Sequence, residues 1–149
     1  MTSQMGDGAP ASAPDQRVQD AAEDSSHRDP DSRAILVVDD EMAIRTVVRR
    51  ALARDGWEVV EAVDGPTALA LLREHERKWA AILLDISLPG LSGEQLFRTM
   101  QEERPDLVER MAFTSGAAGE EVEAMHRPVL HKPFEIATLR ELARTLAAG

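Results

Sequence analysis

The chain has 149 residues, with 17 basic and 27 acidic side chains for a net charge of -10. That balance weighs against nucleic acid or an anionic membrane as partner, and the absence of cysteine removes disulfides, thiolate metal sites and cysteine nucleophiles together. No apolar run approaches the roughly 20 residues needed to span a bilayer, and no basic stretch followed by an apolar one marks a secretory signal, so a cytoplasmic protein is expected.

Residues 1–33 are rich in Ala, Ser, Pro, Gly, Gln and Asp, with Met1, Met5 and Val18 as their only large apolar side chains. Seven acids stand against three arginines there. Such a segment buries too little surface to offset its ordering entropy, so it reads as a disordered acidic leader. One domain is expected over residues 34–149.

Ala34-Ile35-Leu36-Val37-Val38 is a β-branched apolar run, hence a buried strand, and Asp39-Asp40-Glu41 follows it. Ile44, Val47, Val48, Ala51 and Leu52 then recur at helical spacing, with Arg45, Arg49, Arg50 and Arg54 off that face as a solvated side; Gly56 closes the helix. A second strand is predicted over 57–61. Asp64-Gly65-Pro66 opens a second helix, with Pro66 suited to its first turn.

The run Ala80-Ala81-Ile82-Leu83-Leu84 ends in Asp85, and Pro89-Gly90 turns the chain soon after. It fits a strand buried on both faces. Ser92-Gly93-Glu94 leads into a third helix anchored by Leu96, Phe97 and Met100 and ending near Pro105. Residues 111–114 form a fourth strand, 115–119 a loop, 120–126 only a short helix, and 129–131 a fifth strand before Lys132-Pro133-Phe134. Ile136, Leu139, Leu142, Ala143 and Leu146 give the last helix its buried side, and Gly149 follows directly, so no output module is expected. Alternating strands and helices predict an α/β fold with a doubly wound, five-stranded parallel sheet.

Parallel βα units leave every strand's carboxyl end on one edge of the sheet. That gathers Asp39, Asp40, Asp85, Thr114 and Lys132. Three carboxylates in one crevice repel one another, and a divalent cation resolves the conflict. Oxygen-only ligation points to Mg2+, an ion that keeps waters and shares itself with phosphate. Lys132 and a hydroxyl at the rim suit phosphoryl oxygens, and a carboxylate can itself be the nucleophile that forms an aspartyl phosphate. The four histidines, His27, His75, His126 and His131, read as tail or surface residues.

Val37-Val38-Asp39-Asp40-Glu41, Leu84-Asp85-Ile86-Ser87-Leu88-Pro89-Gly90, Phe113-Thr114-Ser115-Gly116 and Leu130-His131-Lys132-Pro133-Phe134 resemble, in content and order, the motifs of the response-regulator receiver domain. The resemblance runs from about residue 33 to the C-terminus. It implies a flavodoxin-like sheet of order 2-1-3-4-5 and a stand-alone response regulator whose Asp85 accepts a phosphoryl group from a sensor histidine kinase or histidine phosphotransfer protein. It implies Mg2+ held by Asp39, Asp40, Asp85 and the backbone carbonyl of Ser87. Lys132, and Thr114 with Ser115 beside it, correspond to the phosphoryl-binding and switch positions, and a cis bond is implied at Pro133. A protein target downstream is implied but not named.

Three departures from the family pattern stand out. The usual switch aromatic is Val129 here, so Thr114 has no aromatic rotamer to couple to. The interval from Thr114 to Lys132 is short and resembles that of receivers in hybrid histidine kinases. Ser87 and Gly116, at positions that tune phosphoryl lifetime, carry no acid or amide to orient an attacking water, so slow self-dephosphorylation is expected. The competing readings are an unphosphorylated scaffold and a Mg-dependent aspartyl-phosphate phosphatase. The phosphatase type needs Asp-x-Asp after its first strand, where this chain has Asp39-Asp40-Glu41. Neither nucleotide-binding glycine motif is present.

Overall fold

The computed structural model describes residues 33–74, 76–116 and 126–148. Strands β1 (Ala34–Val38), β2 (Glu58–Ala62), β3 (Trp79–Asp85), β4 (Met111–Ser115) and β5 (Val129–His131) form one sheet in the order β2-β1-β3-β4-β5. Every pairing is parallel. Helices α1 (Met42–Ala53), α2 (Gly65–Leu72), α3 (Gly93–Glu103) and α4 (Ile136–Ala148) cover its two faces. This is the doubly wound α/β architecture predicted from the alternation of apolar runs. The leader up to residue 32 lies outside the described residues. So does the short helix expected over 120–126, apart from His126. Among the described residues no helix is long and apolar enough to cross a membrane.

Local chemistry sets the helix boundaries. Asp64 caps α2 by accepting the Thr67 amide at 2.8 Å, and Ser92 and Gln95 form a reciprocal capping box on α3. Gly56, at φ +90, ends the turn after α1. The Trp57 amide is still committed to Leu52 O of that helix, which is why β2 begins at Glu58 rather than at the expected residue 57. α3 stops at Glu103, and Pro105–Arg110 continues as a 3-10 turn that periodicity did not reveal. Proline is admitted at the first position of such a turn because it needs no donor there. The Arg33 and Arg110 guanidiniums meet the last carbonyls of α4, Arg33 on Ala147 O at 2.9 Å and Arg110 on Leu146 O and Ala147 O at 3.3 and 3.1 Å.

Strand alternation divides the core in two. Leu36, Val38, Trp79, Ile82, Leu84, Met111 and Phe113 face α2 and α3 and meet Leu72, Leu96, Phe97 and Met100. Phe97 and Phe113 meet edge to face, with ring centres 5.5 Å apart. Ile35, Val37, Leu83, Ala112 and Leu130 face α1 and α4, against Val48, Leu52, Leu139 and Leu146. A register shift between Ala34 and Ile35 inserts an extra residue in β3, so Ala80 and Ala81 both serve this second face. The buried residues of the α1/α4 side are therefore aliphatic, with alanines in β3 and β4, and the aromatic pair fills the other side.

Two residues assigned to buried faces from spacing alone lie at the surface: Val47 is 46% exposed and Ile136 is 40% exposed. They flank a groove of about 290 Å³ between α1 and α4 that also holds Arg50, Ala51, Arg54 and Arg140. The correction is one of arc, since each residue sits at the edge of its helix's apolar stripe and points past the sheet.

Gly93 fixes α3 to the end of β3. A β-carbon there would lie 2.5 Å from the Asp85 carbonyl oxygen and 3.1 Å from Ile86 Cα. Backbone on both sides has no room to yield, so Gly93→Ala is expected to cost about 2–3 kcal/mol in urea denaturation. Gly90→Ala, in open space at φ +72, is expected to cost about 1–2 kcal/mol from backbone strain alone. An equal or smaller effect at Gly93 would refute the packing argument.

Candidate functional site

All five strands end on one edge, and that edge assembles the site. Asp39 directly follows β1, Asp85 closes β3, Thr114 sits opposite Asp85 in the β3–β4 register, and Lys132 directly follows β5. Backbone bonds continue the ladder past the strands: Asp39 N–H donates to Ala62 O at 3.1 Å, Ile86 N–H to Thr114 O at 3.0 Å and Lys132 N–H to Ser115 O at 2.7 Å. The Lys132–Pro133 bond is cis.

Asp39 and Asp85 are buried, at 2% and 4% exposure, as are Thr114 and Ser115. Asp40 and Ser87 lie exposed at the rim. The two buried acids are held alike. Asp39 Oδ1 accepts the Glu41 amide at 2.9 Å, and Asp85 Oδ1 accepts the Ser87 amide at 3.1 Å. Each local turn spends one oxygen on the backbone and leaves Oδ2 for the crevice. There the Lys132 ammonium stands 2.8 Å from Asp39 Oδ2 and 3.3 Å from Asp85 Oδ2, with Glu41 Oε1 at 3.7 Å.

The electrostatics follow from that crowding. Burial is the main force raising the Asp85 carboxyl above the ordinary aspartate value, and the Asp39 charge adds to it. The Ser87 amide and Lys132 pull the other way without cancelling it. Burial alone would lower Lys132, but its contacts with Asp39 and Asp85 outweigh that and hold the ammonium above lysine's usual range. One cation thus serves two buried anions.

The donor set fits a hard divalent cation. Oxygens of Asp39, Asp40 and Asp85 lie within 4.8 Å of one another, and Asp39 Oδ2 is buried with the Lys132 ammonium as its partner at 2.8 Å. Two buried acids and an exposed third, converging with a single ammonium between the buried pair, suit an ion that shares protein oxygens with water. Thr114 and Ser115 flank the crevice on β4. Val129 pairs with Phe113 and packs half-buried against the aromatic side of the core. Gly116 is exposed, and a β-carbon there would lie 3.7 Å from Lys132 Cδ.

Arg45 is the residue that sequence reasoning misplaced. Counted with the solvated side of α1, it is 9% exposed. Its Nη1 donates to the Asp39 carbonyl at 2.7 Å and its Nε to Glu61 Oε1 at 3.0 Å, while Arg49 holds Glu61 Oε2 at 2.9 Å. The available signal was Glu61, an acid in a strand one residue before a fully buried alanine, which needs a basic partner. Glu41, which reaches toward Lys132, was likewise given no role beyond its motif.

Comparison with known proteins agrees with this arrangement. The sequence profile of the response regulator receiver domain matches residues 35–144. The chain is similar to the sensor kinase CckA of Brucella abortus, 32% identical over 146 residues that make up 94% of this chain and 14% of that protein. It is also similar to the response regulator MprA of Mycobacterium sp. (strain KMS), 32% identical over 115 residues, 75% of this chain and 49% of that protein. The chain therefore spans less than half the length of each of these two. Among solved structures, the receiver domain of NtrX from Brucella abortus matches with a TM-score of 0.66 and 33% identity, covering 76% of this chain and 98% of that one. A receiver domain protein from Clostridium thermocellum matches in fold with a TM-score of 0.69 at 24% identity, covering 78% and 94%.

The raised Asp85 carboxyl has a consequence for stability. Its ionisation is opposed in the folded state, so the protein without metal is most stable on this account below the unfolded-state value of aspartate. That contribution is lost as pH rises through the higher folded value. Asp85→Asn removes the charge, so in a chelator it is expected to raise the melting temperature at pH 7 by about 3–6 °C. The gain should shrink as the pH approaches 4. A gain that is constant with pH, or a loss at pH 7, would contradict the assignment.

Proposed function

Since the chain belongs to the response regulator receiver domain family, we propose that Asp85 is its phosphoacceptor, taking a phosphoryl group from a phosphohistidine on a sensor histidine kinase or histidine phosphotransfer protein. In this step an Asp85 carboxylate oxygen attacks phosphorus, the O–P bond forms, the N–P bond of the donor breaks, and the histidine nitrogen leaves with the electron pair. The observation that carries the reading is the pairing of one buried acid at a strand end, Asp85, with the Lys132 ammonium at 3.3 Å and a second buried acid, Asp39, on the same ammonium.

Each group has a role in that transfer. The Ser87 amide holds one Asp85 oxygen and so fixes the carboxylate plane. Lys132 is placed to exchange its bond to Asp85 for a charge-assisted bond to a phosphoryl oxygen. Asp39, Asp40, Asp85 and the Ser87 carbonyl are the groups that would hold Mg2+, which when bound neutralises charge on the phosphoryl oxygens. Thr114, with Ser115 next to it, lies across from Asp85 and supplies the hydroxyl that follows the new charge. The output is a change in which conformation is populated, read by a protein target that prefers one of them. The lysine is partnered by carboxylates before transfer and by the phosphoryl group after it, so the rearrangement starts at β5. We place this exchange in the cytoplasm, with no part for nucleic acid or membrane.

Acetyl phosphate with Mg2+ is expected to add one phosphoryl group to the chain by intact mass, with no addition in Asp85→Asn or with a chelator present. Lys132→Ala is expected to bind the ion and to label at least about tenfold more slowly. With Ser87 and Gly116 beside the site, the label is expected to decay over minutes or longer once donor is removed. Catalytic turnover of a small phosphate ester without stoichiometric label would favour the phosphatase chemistry instead. Absence of both labelling and Mg2+ binding would leave a scaffold.

A further inference from the structure

Five polar or charged side chains are buried among the described residues: Asp39, Asp85, Thr114, Ser115 and Arg45. Four of them line the crevice. Arg45 comes from α1, and burying a guanidinium carries a desolvation cost that its contacts must offset. Those contacts do not reach the crevice. They reach the backbone behind it, at Asp39 O, and the strand beside it, at Glu61.

Asp39 is thereby held by its own backbone and by one carboxylate oxygen on the side away from the crevice. Its N–H is committed to Ala62 O, its C=O to Arg45 Nη1, and its Oδ1 to the Glu41 amide. Oδ2 alone faces the crevice, where it meets the Lys132 ammonium at 2.8 Å. We propose that Arg45 is a positioning residue of the acidic site, clamping the Asp39–Asp40 peptide to β2 through Glu61 so that Asp39 Oδ2 is aimed into the crevice, and that this clamp sets the affinity for the divalent cation. The inference rests on the reading of the crevice as a cation site.

The fork is what matters. One guanidinium spans the carbonyl and the carboxylate at 2.7 and 3.0 Å, and an ammonium has no planar fork to do both. Charge and position act in opposite directions here. Removing a nearby positive charge alone would favour cation binding, whereas releasing the peptide would weaken it. Arg49 is the internal control, since it touches the same glutamate and is bonded to Glu61 rather than to Asp39.

The test is calorimetric titration of Mg2+ into the full chain, its Arg45→Lys, Arg45→Met, Arg49→Met and Glu61→Gln variants, with amide spectra of the metal-free proteins. Both Arg45 variants are expected to bind about tenfold more weakly, with Arg49→Met within about twofold of the parent. The Asp40 amide resonance, which shares its peptide with the clamped carbonyl, is expected to move in the Arg45 variants and stay in place in Arg49→Met. Parental affinity in Arg45→Lys, or tighter binding in Arg45→Met, would show that charge and not the clamp is felt, and would overturn the proposal. Should the Arg45 variants not fold, Glu61→Gln decides: a displaced Asp40 resonance is expected, and an unmoved one refutes the clamp. A parent that binds no Mg2+ would instead refute the cation site on which the inference stands.

Discussion

Two carboxylates buried side by side are the constraint on which this structure turns. Asp39 and Asp85 sit at the ends of neighbouring strands, shielded from water, and burial with the Asp39 charge beside it opposes ionisation of Asp85. Lys132 supplies the counter-charge from the far side of the sheet, at 2.8 and 3.3 Å. The three groups belong to the ends of β1, β3 and β5, so no segment of the chain can build the site locally. Only the complete sheet brings them together. The charge cluster in turn opposes any slippage of the strands that carry it, because a one-residue shift would turn its acids to the opposite face.

The packing on the two sides of the sheet serves that edge unequally. On the α2/α3 side, Phe97 and Phe113 fill the core beside Leu84, and Gly93 lets α3 close against the Asp85 carbonyl. On the α1/α4 side, α4 packs on β3, where Ala80 and Ala81 lie, while α1 packs on β1 and β2. From α1 a buried arginine reaches the carbonyl just past the end of β1. A long basic side chain thus supplies a polar tie from helix to strand end.

The parts of this arrangement that were legible in the sequence are those encoded in consecutive residues. Unbroken runs such as Ile35 to Val38 and Ile82 to Leu84 announce buried parallel strands, and the polar residue after each run marks the functional edge. The sheet order came from the motif resemblance, since periodicity carries no information about neighbours. What stayed hidden depended on distance in sequence. Arg45 looked like one of four arginines on a wet helix face until Glu61 and the Asp39 carbonyl were placed beside it. Val47 and Ile136 looked like core until the helix edges were oriented. The 3-10 turn after Pro105 has no periodic signature at six residues.

The same contacts also divide the site into a fixed half and a yielding half. On the acidic side, Asp39 is bonded through its amide, carbonyl and Oδ1, and Asp85 sits between two strands with Oδ1 tied to Ser87. On the basic side, Lys132 follows a strand of three residues that has one neighbour, and its ammonium ends a long, rotatable stem. Val129, where a bulky ring would anchor that strand, is half-buried. A charge added at Asp85 would meet Lys132, whose ammonium already stands 3.3 Å from that carboxylate, whereas the contacts of Arg45 lie behind Asp39. A phosphoryl group on Asp85, as proposed, would therefore be felt first at the short edge strand that precedes Lys132, and not at α1.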